Sequence, residues 1–152
     1  MPDPAATPSQ PEHDAARALR SLVETLDILW AHPPVHTAGT TASTAQLRIM
    51  TLIDGRPGIR MRILAHTLDT TAPSLTRMCD RLENLGFLER RTSPHDARER
   101  TLRLSPAGST HLAHVRNQRE ATLTHALTAM PPDSRRALST GLAALHHSIT
   151  RL

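Results

Sequence analysis

Arg77, Arg81 and Arg98 pose the first chemical question of this sequence. The first two lie four residues apart on a helical stretch and the third on a polar loop that follows it. A guanidinium offers a planar fork of donors that fits a phosphate or the edge of a guanine, so three of them in one segment suit nucleic acid. The charge count points the same way. Residues 55–104 hold ten Arg against six Asp and Glu, whereas the rest of the chain has eight Arg and eight acids, so the formal +4 lies in the middle third. All 18 basic residues are Arg, and Lys is absent. Codon bias alone can replace Lys by Arg outside this segment, but it does not explain where the surplus lies.

Other residue types offer competing chemistry. Ten His is a high number; His111 and His114 share a helical face, and His32 and His36 lie near the end of the first helix, which raises a zinc site. No ligand set is complete, however, and no thiolate is placed to help, so the expectation is no metal ligand and no cofactor. Cys79 falls on an apolar stripe and is expected to be buried and inert. As the single Cys it excludes an intrachain disulfide and fits a reducing cytoplasm. Ser93 with His95 and Asp96 has the vocabulary of a catalytic triad. Near neighbours on one loop cannot orient a base against a nucleophile, and no Gly-rich oxyanion or phosphate loop is present, so no catalytic residue is expected.

The elements that position these residues can be read outward from the basic segment. Leu75, Met78, Cys79, Leu82 and Leu85 recur at helical spacing and leave Thr76, Arg77, Asp80 and Arg81 on faces turned away. Thr71 can cap this helix, Pro73 sits in its first turn, and Gly86 ends it in the left-handed conformation. Two strand-like runs follow, 87–91 and 100–104, with a polar loop over 92–99 between them. Upstream, a short helix over 61–68 turns Leu64, Ala65 and Leu68 inward and is joined to the basic helix by Asp69-Thr70. Two short helices linked by a tight turn, the second followed by a hairpin, make a winged helix-turn-helix.

Around this centre the chain is helical. Residues 1–11 are Pro-rich with little to bury and read as a disordered tail. A first helix covers 12–32 through Ala15, Leu19, Leu22, Val23, Leu26, Leu29 and Trp30, and Pro33-Pro34 stops it. Ser43, with Gln46 three residues on, opens a second helix that runs to about residue 54. Ser105-Pro106 opens a long helix through Leu112, Val115, Leu123, Leu127 and Met130, broken by Pro131-Pro132. The last helix, after Asp133, carries Leu138, Leu142, Leu145, Ile149 and Leu152 in a stripe that reaches the final residue. Such a stripe implies a cover, either the first helix or a second subunit. With one Trp, one Phe and no Tyr the core must be aliphatic. The fold class is therefore mainly α with a small β-wing. One domain over 12–152 comprises dimerisation helices at 12–42 and 105–152 and a winged helix-turn-helix at 43–104. No signal peptide or membrane span is recognisable, and the expected location is cytoplasmic.

The run LAHTLDTTAPSLTRMCDRLENLGFLERRTSPHDARERTLRLSPAG resembles the MarR (multiple antibiotic resistance regulator) family of bacterial transcription regulators. Its most specific elements are Leu64-Ala65, Thr76-Arg77, Asp80-Arg81-Leu82-Glu83, Gly86 followed by an apolar pair and Arg90, Asp96-Ala97-Arg98, and 104–108 as the wing exit. The resemblance implies a homodimer on a near-palindromic operator in double-stranded DNA, acting as a repressor. Each recognition helix would enter a major groove, and each wing the adjacent minor groove. On matching positions Pro73, Ser74, Thr76, Arg77 and Arg81 would face base edges or phosphates, Arg98 would enter the minor groove, and Asp96 would brace the wing. Leu19, Leu22, Leu26, Leu138, Leu142, Leu145 and Ile149 would meet their symmetry mates. It further implies release by a small lipophilic or phenolic effector bound among Trp30, His36, Leu47, Met50, His111 and Val115. A zinc-responsive regulator of the same fold and a winged helix used only for protein contacts are the alternatives. Four positions depart from the family pattern: Asp69-Thr70 replaces a usual Gly and apolar residue, Ala97 replaces a frequent Arg, and Ile63 occupies a commonly polar site.

Overall fold

The computed structural model describes residues 9–31, 42–92 and 100–151. The backbone divides into two compact units, Met1–Ala45 and Gln46–Leu152.

In the first unit, helix α1 spans Gln10–Ala31. It begins two residues before the expected start at Glu12, so Gln10 and Pro11 belong to the helix and not to the tail. The reason is local. The Ser9 backbone N–H donates to the Glu12 carboxylate and the His13 N–H donates to the Ser9 carbonyl, which is the returning half of a capping box with Pro in the first turn. Arg20 and Glu24 form an exposed i, i+4 pair at 2.7 Å. No residue of α1 is buried; Leu19, Leu26 and Trp30 are partly covered, and Leu22, Val23, Ile28 and Leu29 are exposed.

The winged body is built on the aliphatic core that the composition demands. Helix α2, Thr44–Gly55, buries Gln46, Ile49, Met50 and Ile53. A two-residue strand β1, Ile59–Arg60, follows the Arg56–Gly58 turn, and helix α3, Met61–Thr67, buries Leu64. Helix α4, Ala72–Asn84, buries Leu75, Cys79 and Leu82 and leads into strand β2, Leu88–Thr92, and strand β3, Arg100–Leu104. The three strands form an antiparallel sheet in the order β1-β3-β2. Strand β1 was not expected from the sequence. It is held by the Gly58 N–H donating to the Leu102 carbonyl at 2.9 Å, which Gly58 reaches with φ of 84°.

Two helices of this body end in the same way. At the end of α4 the Gly86 N–H donates to the Glu83 carbonyl and the Phe87 N–H to the Leu82 carbonyl, a Schellman closure with Gly86 at φ 75°. At the end of α3 the Asp69 N–H donates to His66 and the Thr70 N–H to Ala65, the same closure with Asp69 at φ 47°. Asp69 therefore takes the left-handed conformation where a glycine is usual, so the substitution keeps the turn at a strain cost instead of altering it. Leu68 and Leu85 are the C-cap residues of α3 and α4, each just beyond the helix in which the periodicity placed it.

Helix α5, Pro106–Thr128, starts on the Ser105 cap, whose Oγ accepts from the Gly108 N–H at 3.0 Å. Ser105 Oγ also donates to the Gly86 carbonyl, and its N–H donates to the Phe87 carbonyl at 3.1 Å. A Cβ on Gly108 would lie 2.1 Å from that carbonyl oxygen, so only glycine lets the first turn of α5 close on the backbone of Phe87. Arg116 then pairs with Asp54 of α2 at 2.6 Å. The helix ends at Thr128, ahead of Met130. Helix α6, Pro132–Ile149, begins one residue before Asp133, because Pro132 fits a first helical position. It buries none of its residues: Leu138 is half-buried, whereas Leu142, Leu145 and Ile149 are exposed. Leu152, the expected end of the stripe, lies outside the described residues.

Candidate nucleic-acid interface

The candidate surface is the outer side of α4. Its inner side is closed, with Leu75, Cys79 and Leu82 each fully buried. One hundred degrees per residue then brings Pro73, Ser74, Thr76, Arg77 and Arg81 together opposite them. Of these, Ser74 is half-buried and the other four are exposed. The helix start is set by Thr71, whose side chain accepts from the Ser74 N–H at 3.4 Å, with Pro73 in the first turn as expected. Asp96 and Arg98 lie outside the described residues, as does the Ser93, His95 and Asp96 run.

The electrostatics of this surface depend on a residue whose role the sequence did not disclose. Arg90 of β2 points inward, pairs with Asp80 and lies 3.4 Å from Glu83. It also donates to the Thr76 carbonyl at 3.5 Å. Both acids sit on α4 beside the reading face, where bare carboxylates would repel a polyanion. Arg90 offsets one of their two charges, and together with Arg77 and Arg81 it leaves three cations against two carboxylates. Asp80, which the periodicity left free to read, is instead a partner within the protein. The signal was an Arg at an inward strand position, which needs buried or half-buried counter-charges nearby.

Cys79 bears no such role. Burial pushes its thiol up to about 11, against a smaller lowering by Arg90. A thiol held protonated in the core is a packing group.

The residues expected to line an effector pocket differ in burial. Met50 is fully buried in the core, Leu47 and Val115 are half-buried, Trp30 belongs to the other compact unit, and His36 lies outside the described residues. His111 stacks on Phe87 with ring centroids 4.4 Å apart and buries its Nε2 without a hydrogen-bond partner among the described residues. Burial, and secondarily His114, holds its imidazole below the usual range and favours the neutral ring. Among the described residues no three His, Cys, Asp or Glu side chains converge as metal ligands, and His32 lies outside them.

Residues 43–99, α2 through the wing loop, match the MarR family model. The match covers 57 of the 152 residues. A MarR-family protein of Bacillus stearothermophilus superposes with a TM-score of 0.77 at 16% identity, covering 95% of this chain and 99% of that one. The regulator Tm0710 of Thermotoga maritima gives 0.75 at 22% identity, covering 91% and 96%. FabT of Streptococcus pneumoniae, solved in complex with DNA, gives 0.67 at 19% identity, covering 91% and 97%. These identities establish a shared fold. In sequence, a protein of Thauera aromatica assigned to transcriptional regulation of the hcr operon is 31% identical over 67 residues. That match spans 44% of this chain and 40% of the relative. No helix among the described residues is long and apolar enough to cross a membrane.

Proposed function

We propose that this chain is a MarR-family regulator and represses transcription by binding a near-palindromic operator in duplex DNA as a homodimer. The observation that carries the reading is α4, a helix with a fully buried inner side, a basic outer side and two neighbouring acids whose charge Arg90 partly offsets. Ser74, Thr76, Arg77 and Arg81 would meet base edges and phosphates in a major groove, with Pro73 against the backbone. The wing loop, with Arg98 toward the minor groove and Asp96 as its brace, would extend the contact. The solved DNA complex of FabT, which shares the fold, supports this use of it.

Dimerisation is supported by the apolar stripes. Leu19, Leu22 and Leu26 on α1 and Leu138, Leu142, Leu145 and Ile149 on α6 include no buried residue. A second copy would cover them, and two recognition helices in fixed spacing suit two half-sites. Release is proposed to come from a small lipophilic or phenolic ligand. A hundredfold preference for a non-binding spacing requires only about 2.7 kcal/mol.

Selection of bound sequences from random duplex DNA tests the central reading. A recovered palindromic consensus, with affinity falling steeply as salt rises, is the expected result. Failure to enrich any duplex at low salt would overturn it. Trp30 is the only Trp, so its fluorescence tests the effector reading. A ligand that releases the operator without altering that emission, and still acts on Trp30→Leu, binds elsewhere.

A further inference from the structure

One strongly charged surface lies away from α4: the outer face of the three-stranded sheet. The register pairs Leu102 with Ile59 and with Arg90, and these three turn inward. It pairs Thr101 with Arg60 and with Arg91, which therefore form a row across all three strands on the opposite face. Two residues along β3, Arg103 stands on the same face opposite Glu89. Arg91 and Arg103 are exposed. The guanidinium of Arg103 reaches across toward the β1 side, where a Cβ on Gly58 would lie 3.9 Å from its Nη2, and Arg56, earlier in the same turn, is exposed. The sheet face has one carboxylate, Glu89, and it pairs with Arg91 at 3.0 Å. Among the described residues no carboxylate forms an ion pair with Arg103 or Arg56.

We infer that this face binds the sugar-phosphate backbone of the duplex flanking the operator, outside the base pairs read by α4. The inference rests on the DNA-binding reading above and extends its footprint. Three features favour a polyanionic backbone over an acidic protein. The outward residues are Arg, Thr and Glu, with no apolar or aromatic side chain to form the dry centre that protein interfaces require. Guanidinium forks spread over three strands, about 4.8 Å apart, can engage successive phosphate oxygens bidentately. Two of the strands that bear them, β2 and β3, are also the two that the wing loop joins in sequence. Such contacts carry no base information and act through charge alone.

The test uses the full chain and its Arg91→Ala/Arg103→Ala double variant, both positions being exposed and outside the α4 and wing-loop set. Two duplexes carry the selected consensus, one trimmed to the consensus and one with about ten further base pairs on one side, a helical turn. The parent should bind the longer duplex on the order of tenfold more tightly at low salt. Two added phosphate contacts should also make its affinity fall about tenfold further than that of the trimmed duplex between about 50 and 200 mM salt. The double variant should bind the trimmed duplex as the parent does and lose the advantage of the longer one. Equal binding of both duplexes by the parent would overturn the inference while leaving the operator reading intact, as would equal losses on both duplexes in the variant. Retention of polyglutamate by the parent but not the variant, without any gain from flanking DNA, would assign the face to an acidic protein instead. A parent that binds neither duplex overturns both readings together.

Discussion

The winged body and the two helices α1 and α6 use the same aliphatic vocabulary to opposite effect. In the body, Ile49, Met50, Ile53, Leu64, Leu75, Leu82 and Leu102 are all essentially inaccessible to solvent. On α1 and α6, Leu22, Val23, Ile28, Leu29, Leu142 and Ile149 retain about half or more of their surface, and neither helix buries a single residue. The first region is a closed core whose stability is its own. The second leaves its apolar side chains uncovered among the described residues. Helical periodicity looks alike in the two, so it reports that an apolar face exists without saying what covers it.

The contrast can be broken most directly on α6. Leu142→Asp would put an unpaired charge into the proposed subunit contact, where the cost is about 3–5 kcal/mol. Monomers in analytical ultracentrifugation, with operator affinity sharply reduced, are the expected outcome; a folded and fully dimeric variant would refute the assignment. Next comes the join between body and outer helix. Gly108→Ala drives a methyl into the Phe87 carbonyl and should cost about 3 kcal/mol in denaturant unfolding, near the top of the usual range for overpacking because the obstacle is backbone. An unchanged midpoint would mean that α5 does not close there. Arg77→Ala, on the exposed side of the body, should leave unfolding unaltered and weaken specific operator binding by about 1–3 kcal/mol, as should Arg98→Ala, while Arg151→Ala should do little. Parent-like binding by both groove variants in matched salt would remove them from the interface.

Two smaller effects probe the body itself. The Cys79 thiol is raised in the folded state from 9.0 to about 11, so the native protein holds its proton more firmly than the unfolded chain does. This contribution to stability is complete below about pH 9 and is lost as pH rises through about 11. Comparing Cys79→Ala with the parent across that window should show the parent losing stability more steeply; parallel curves would mean the thiol is not desolvated. Asp69→Gly removes the left-handed strain, about 1–2 kcal/mol, but loosens the unfolded chain by about 0.4–1. A net gain between zero and about 1.6 kcal/mol is expected in thermal unfolding, and a loss would indicate that the Asp69 carboxylate does something more.

The element order and the recognition helix were legible because their signals are local. Thr71, Pro73, Gly86, Ser105 and Pro106 act within a few residues of where they stand, and the stripe on α4 needs only its own period. The start of α1 was equally legible in Ser9 and Glu12, spaced as a capping box, but the Pro-rich composition outweighed it. What could not be read depends on contacts distant in sequence. Strand β1 is two residues long and exists only because β3 lies beside it. Arg90 looks like any strand Arg until Asp80 and Glu83 are beside it, and Gly108 looks like a permissive residue until Phe87 closes on it. The positions of Trp30 and Met50 were inferred from a shared pattern, and core burial is a property of Met50 that its flexible side chain does not announce.

The closure of α5 on Phe87 also has a mechanical consequence. With Ser105 bonded to Gly86 and Phe87 at one end and Arg116 bonded to Asp54 a few turns on, the first half of α5 is clamped to the winged body at two points. The 23-residue helix is about 35 Å long, and its far half carries no buried residue. It is therefore an oar held in its lock. A tilt of about 5° applied at the free end displaces that end by about 3 Å and turns the clamped body through the same angle, so a modest force on the handle becomes a change in how squarely the blade meets its groove.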